Sequence, residues 1–392
     1  MNILALHVVS DMYGSSKVLL QAVTALQQKG HKVCVVVSEE GPLTIKLQKA
    51  GIQTKIIRLG ILRRRYFNFF GIINRAVVLT RAFFALKKLC KAQQIDLIYT
   101  NTAPVVIGGL LAKFTGIKNV WHLHEILEPK SFMHRFFGKL INATASKVVV
   151  VSNAVYDNWV GVIEERKVVK VYNGYNAVNV AAVNVAPPDT TIAPPPITNL
   201  RQNLGINLDT VLIGMVGRVN LFKGQSYYID IVAAAKAAGL NCHFVMIGDA
   251  YTGYEYLYKT LELQIQNLGL QDMITNLQYQ ANAVSLIAQF DIFVLPSIKP
   301  DPFPVVMLEA MAVAKPIIAT AQGGALEQID DCVTGFLVPI NDANTAAQKL
   351  GVLVNNPFMR SKMGEGGKQK LQTQFSEEAF NVNIVNQICC LV

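Results

Sequence analysis

Short apolar runs recur along the first half of the chain, spaced so that one helix fits between each pair. Residues 3–9, 31–37, 52–59, 97–99, 119–124 and 147–151 read as strands. Runs that are apolar throughout, without alternation, belong to strands buried on both faces, and strands separated by helices build a parallel sheet. The first run is followed by a Gly-Ser loop at Gly14-Ser15-Ser16 and a helix through Gln28. Past residue 199 the series starts again, with strands at 211–216, 242–247, 292–295, 316–320 and 335–338 and helices at 225–238, 254–268 and 305–313. The tail from Asn344 reads as helical with interruptions.

Residues 177–199 break the pattern. Prolines at 187, 188, 194, 195 and 196 exclude a helix interior or a central strand. The expected organisation is a first domain at 1–178, a Pro-rich linker at 179–199, a second domain at 200–375, and a tail at 376–392 whose return to the first domain is left open. The fold class is α/β, with two Rossmann-like parallel-sheet domains. Ligands are expected in the crevice between them, outside the carboxyl ends of the strands.

Composition narrows the class. With 392 residues, 52% hydrophobic and 16% charged, the chain is no disordered, collagenous or disulfide-framework protein. Its six cysteines (34, 90, 242, 332, 389 and 390) form no C-x-x-C pair and suit a reducing compartment. The start, MNILALHVVSDMYGSS, lacks the basic region and cleavage site of a signal peptide. No run reaches the ~18 apolar residues of a spanning helix. A cytoplasmic location follows as the expectation.

The net charge of +10 changes the picture only once it is located. Arg63, Arg64, Arg65, Arg75, Arg81, Lys87, Lys88 and Lys91 carry eight of those ten units in a stretch, 61–91, that has no acid. If 72–91 is one helix, Arg81, Lys87, Lys88 and Lys91 share a broad face with Val77 and Phe84, while Leu79, Ala82, Leu86 and Leu89 line the face that suits a sheet. Apolar residues set among cations fit a surface touching anionic lipid at the inner face of the cytoplasmic membrane. The same residues also suit a solvated face with basic side chains lying over apolar neighbours. Nucleic acid is disfavoured, since no recognised binding motif accompanies the patch.

Three loops carry candidate chemistry. DMYGSSK after the first strand is neither a dinucleotide fingerprint nor a P-loop, so Gly14 alone is a tight turn or a phosphate-approach loop. MVGRVNLFKGQ presents Arg218 and Lys223 at the mouth of a parallel sheet, where two cations suit a diphosphate. In PDPFPVVMLEAMA, Asp301 follows a strand and Glu309 falls in the first turns of a helix. Carboxylates so placed accept hydrogen bonds from vicinal hydroxyls; the lesser alternative for Glu309 is a helix-dipole residue facing solvent.

Taken in order, GRVNLFKG and DPFPVVMLEAMAVAKPIIATAQGGALEQIDDCVTGFLV resemble glycosyltransferase family 4, from residue 1 to about 380. The resemblance implies the GT-B architecture and a retaining enzyme of the hexosyltransferase class. Such an enzyme uses a nucleoside diphosphate sugar, UDP- or GDP-linked, with no tightly bound cofactor and no metal. It implies that Arg218 and Lys223 hold the diphosphate, that Asp301 contacts donor-sugar hydroxyls and that Glu309 binds the ribose. Gly14 and Phe303 fall at donor-binding positions, and His124 of WHLHE at the active-site histidine. Strand periodicity places His122 and His124 on one face and does not choose between them. Asn173-Gly174, Ser152-Asn153 and the Gly323-Gly324 to Glu327 loop match lesser elements of the pattern. Gly248-Asp249-Ala250 departs from a usual Gly-Asp-Gly, Ala314 takes a frequent glycine position, and Asn276–Tyr279 replaces the usual stretch beside the base. The implied acceptor is a glycan or lipid-linked sugar of cell-surface polysaccharide, lipopolysaccharide or glycolipid synthesis. A nucleotide-sugar-binding protein without catalysis, or another GT-B enzyme such as a nucleotide-sugar epimerase, stays open on the same features.

Overall fold

The computed structural model describes residues 1–7, 9–61, 68–176, 199–250, 253–280 and 282–391. Arg63, Arg64, Arg65 and nearly all of the Pro-rich linker lie outside the described residues. The chain divides into two units, Met1–Gly174 with Glu377–Val392, and Tyr175–Ser376.

The first unit is built on β1 (Asn2–Leu6), β2 (Lys32–Val37), β3 (Gln53–Ile56), β4 (Leu97–Asn101), β5 (Lys118–Leu123), β6 (Lys147–Val150) and β7 (Val168–Lys170). All pair in parallel, in the order β3-β2-β1-β4-β5-β6-β7. The inner strands are buried along almost their whole length, which is why their sequences read as continuous apolar runs. The edge strands do not: β3 is QTKI and largely exposed, shorter than the 52–59 reading, and β7 is a three-residue strand absent from it. A sheet edge needs no apolar run on both faces, so the pattern there is weak.

The 72–91 helix is longer than its apolar pattern, spanning Phe69–Gln93. Asn68 caps it, accepting the Gly71 amide proton at 2.8 Å, and Gln94 ends it at φ 50°. Ala82, Leu86 and Cys90 are buried in the core, with Leu79 and Leu89 packed against it. The Glu377–Cys389 helix packs on the Gly14–Gln28 helix. It is pinned where Lys147 Nζ donates to Gln387 Oε1 at 3.0 Å and Lys118 Nζ to the Leu391 carbonyl.

The second unit repeats the plan with β8 (Val211–Val216), β9 (Cys242–Ile247), β10 (Ile274–Leu277), β11 (Ile292–Leu295), β12 (Ile317–Thr320) and β13 (Gly335–Val338). The order is β10-β9-β8-β11-β12-β13, again parallel. Here too the strand missing from the sequence reading, β10, lies at an edge. Strand order reverses between β1 and β4 in one sheet and between β8 and β11 in the other. Loops leaving neighbouring strands diverge at such a reversal and open a ligand crevice at the strands' carboxyl ends.

Candidate active site

In the second unit the reversal is flanked by the two loops singled out from sequence. The loop leaving β8 is folded by Asn220, whose Oδ1 accepts amide protons from Phe222 at 2.8 Å and Lys223 at 2.9 Å. Gln225 Nε2 donates to the Arg218 carbonyl at 3.0 Å. The Ile298 amide donates to the Phe222 carbonyl at 2.9 Å, which ties this loop to the one leaving β11. Across that tie Lys223 Nζ and the Asp301 carboxylate form an ion pair, both side chains partly exposed. Arg218 stands on the same loop as Lys223, half-buried.

The Asp301 loop is itself held from the β12 side. The Gly324 amide donates to the Asp301 carbonyl at 2.8 Å. Gly323 adopts φ +57°, and a Cβ there would lie 2.3 Å from the same carbonyl oxygen, so only glycine fits. Glu309 sits in the Val305–Ala312 helix at 3% exposure. It faces inward and is no solvent-facing dipole residue. Phe303 is also buried, its ring edge-on to Phe375 at 5.3 Å, so it supports the loop from beneath. At Gly248-Asp249-Ala250 the Tyr258 hydroxyl gathers the loop, 2.7 Å from the Ala250 amide and 2.9 Å from Asp249 Oδ1.

In the first unit, Gly14 opens the helix after β1, and His124 follows β5. His122 and His124 do share a face, their rings 4.2 Å apart. His122 is fully buried with Nδ1 2.5 Å from the Tyr99 hydroxyl, whereas His124 is partly exposed. Between His124 and the Gly14 loop stand two buried residues the sequence reading passed over, His7 and Asn101. Asn101 lies 2.8 Å from His124 Nε2 and 2.9 Å from His7 Nδ1, and His7 Nε2 lies 3.0 Å from Ser16 Oγ. Burial pushes the His7 pKa down to about 4 and the His124 pKa well below the ordinary value, the neighbouring histidines adding to the latter. Both rings are neutral at pH 7.

Glu125 Oε2 accepts the amide protons of Ala103 at 3.2 Å and His124 at 3.1 Å. Burial nevertheless raises its pKa to about 7. Ser152 has a local task, capping the Asn153–Trp159 helix by accepting the Val155 amide proton at 3.1 Å. Asn173 is buried.

The structure therefore joins Lys223 with Asp301, and, through His7 and Asn101, the first turn of the Gly14–Gln28 helix with His124, each pair at its own sheet's reversal point; the Gly-Ser loop expected at Gly14-Ser15-Ser16 is that helix turn. Among the described residues no three His, Cys, Asp or Glu side chains are grouped to hold a metal ion.

Residues 12–178 match the Glycosyltransferase Family 4 domain and residues 196–370 the Glycosyl transferases group 1 domain, together most of the chain. An alpha-D-kanosaminyltransferase of Streptomyces kanamyceticus is 29% identical over 182 residues, 46% of this chain and 45% of that protein. The chain thus spans less than half of that relative's length. An uncharacterized glycosyltransferase of Methanocaldococcus jannaschii is 26% identical over 291 residues, 72% of each chain. The crystal structure of Anabaena HepE with UDP-glucose superposes over 100% of both chains with a TM-score of 0.83 at 23% identity, a likeness of fold.

Proposed function

The chain belongs to glycosyltransferase family 4 and has the GT-B fold, and from that premise we propose that it transfers a sugar from a nucleoside diphosphate sugar to an acceptor hydroxyl with retention at the anomeric carbon. The observation that carries this reading is the Lys223–Asp301 ion pair, beside Arg218, at the reversal point of the second sheet. A partly exposed ion pair is weakly held and can exchange partners. Lys223 leaves the carboxylate for the donor diphosphate, and Asp301 is released to accept hydrogen bonds from donor-sugar hydroxyls. Glu309 takes the ribose hydroxyls.

As the bond from the anomeric carbon to the phosphate oxygen lengthens, charge grows on the diphosphate, and Arg218 and Lys223 stabilise it more strongly than in the ground state. The acceptor oxygen forms its bond to the anomeric carbon on the same face, and its proton passes to the departing phosphate. No separate carboxylate base is required, unlike the paired acids of glycosidases. His124, neutral, contacts the sugar by hydrogen bonding and not by charge.

The acceptor in this reading is a glycan or lipid-linked sugar of surface-glycan synthesis, met at the inner face of the cytoplasmic membrane. The Phe69–Gln93 helix supports that location. Phe70, Ile72, Ile73, Val77 and Phe84 are exposed on it, Phe70 at 81%, among Arg81, Lys87, Lys88 and Lys91. No helix among the described residues is long and apolar enough to cross a membrane.

Incubation with UDP-, GDP- and ADP-sugars, read as nucleoside diphosphate release with and without a lipid-linked acceptor, tests the reaction. UDP-glucose comes first, because HepE was crystallised with it. Release from one class of donor, lost in Lys223→Ala, is the expected result. Release unchanged in that variant overturns the site.

A further inference from the structure

The cluster behind His124 is a chain of hydrogen bonds whose proton directions follow from its ends. Asp11 Oδ1 accepts the Tyr13 amide proton at 3.2 Å and so presents a lone pair, which makes the Ser16 hydroxyl, 2.9 Å away, the donor between them. Ser16 has no second proton, so across 3.0 Å His7 Nε2 donates and Ser16 Oγ accepts. A neutral imidazole protonated at Nε2 carries its lone pair on Nδ1, and that atom faces the Asn101 amide at 2.9 Å. Asn101 must present its NH2 group there. The Ser15 carbonyl, an acceptor 3.3 Å from the same Nδ2, fixes the same orientation independently. Asn101 Oδ1 is thereby turned to His124 and accepts the Nε2 proton at 2.8 Å.

We propose that Asn101 is the positioning residue of His124: through His7 and Ser16 it ties the His124 ring to the first turn of the Gly14–Gln28 helix and fixes the neutral tautomer protonated at Nε2, leaving Nδ1 to accept a hydrogen bond from a substrate hydroxyl. The proposal rests on the reading of His124 as a sugar-contacting residue. It deepens that reading by assigning the ring an acceptor's role, so His124 gives no proton to the leaving group.

The backbone at this point supports the assignment. Thr102, next to Asn101, is β-branched and buried, yet it lies at φ +80° with its amide donating to the His122 carbonyl at 2.8 Å. A β-branched residue keeps such a conformation only where its surroundings enforce it, as at sites that hold a geometry. The ionisable groups facing His124 are His7, its ring neighbour His122, and Glu125 beneath its amide.

Ring-nitrogen NMR on the whole protein, 15N-labelled at histidine and free of donor at pH 7, tests the relay without any assay of transfer. The expected spectrum shows His124 and His7 neutral and protonated at Nε2. Asn101→Ala should free the His124 ring, and Ser16→Ala should move part of its population to the Nδ1-protonated form. His124 protonated at Nδ1 in the unaltered protein, or a His124 spectrum identical in both variants, overturns the proposal. If Asn101→Ala does not fold, Asn101→Asp decides: its second oxygen faces His7 Nδ1 and should convert His7 to the imidazolium, and a neutral His7 counts against the relay.

With a donor identified, Asn101→Ala should lower kcat about 100-fold while KM for the donor stays within about threefold. An unchanged kcat removes the positioning role. Absence of transfer by the unaltered protein would defeat the donor reading alone, since the ring spectra still judge the relay.

Discussion

The two reversal points of this chain share a topology and differ in electrical character. In the first unit His7, Asn101 and His124 meet as neutral groups, buried or half-buried, with burial holding both rings uncharged. In the second, Lys223 and Asp301 meet as charges within reach of solvent, with Arg218 half-buried on the same loop as Lys223. A buried hydrogen-bonded network rearranges only at high cost, because any orphaned group loses its partner in a low dielectric. A partly exposed ion pair changes partners cheaply. The first arrangement suits a group whose task is to stay aimed. The second suits a cation that, in the proposed reaction, passes from a carboxylate to a diphosphate and back. The common fold supplies the place, and the side chains decide the chemistry.

The comparison breaks most severely at Lys223. Lys223→Ala should reduce transfer about 10²- to 10³-fold, the range for removing one donor to developing charge, with circular dichroism unchanged. Glu309→Ala, which removes a carboxylate buried in the adjoining helix, should cause a loss of the same order. Gly323→Ala comes next. Its Cβ would stand 2.3 Å from the Asp301 carbonyl, so the loop must move, and both melting temperature and transfer should fall. A destabilisation of about 2–3 kcal/mol by denaturant titration is expected. An unaltered Asp301 loop in that variant would mean the Gly323-Gly324 turn does not set the carboxylate's position.

The contrast was only half visible in the sequence. Charges at the second reversal point stand out, because Arg218, Lys223 and Asp301 lie in the short loops after apolar runs, where no core explains them. The first reversal point gave a weaker signal. His7 directly follows β1 and Asn101 ends β4, and a single polar residue near a strand's end is commonplace. What makes them a unit is contact between residues 94 positions apart, which no local pattern contains. Edge strands were harder to read for a related reason: β7 and β10 were missed and β3 was read too long, because an edge strand needs no apolar run on both faces. The inner strands and the Phe69–Gln93 helix, whose buried face must be apolar, were legible.

Glu125 sharpens the comparison, being the group that can bring charge to the neutral site. Its pKa in the folded protein is about 7, against an ordinary 4.5, chiefly because burial disfavours the carboxylate. The folded state therefore holds a proton that the unfolded state has released, and stability should fall as pH rises from about 4.5 through 7. Glu125→Gln keeps an oxygen to accept the Ala103 and His124 amides and removes the titration. Denaturant titrations across this window should flatten in the variant, which gains on the order of 2 kcal/mol over the unaltered chain at pH 8. Parallel curves for the two proteins would place the titrating group elsewhere.

The smallest effect concerns charge in the first unit that is not at its reversal point at all. Arg81, Lys87, Lys88 and Lys91 of the Phe69–Gln93 helix stand in solvent, on the helix that also exposes Val77 and Phe84. If they meet an anionic bilayer, each contributes about 1 kcal/mol near the surface. Lys88→Gln should then weaken co-sedimentation with phosphatidylglycerol vesicles about fivefold at low salt. Screening should bring the two proteins together at high salt, whereas Phe84→Ser should weaken binding at either, since the loss of apolar insertion is not screened. Equal binding by all three proteins at low salt would leave the helix as a solvated face, and the first unit's excess of charge would have no part in meeting the acceptor.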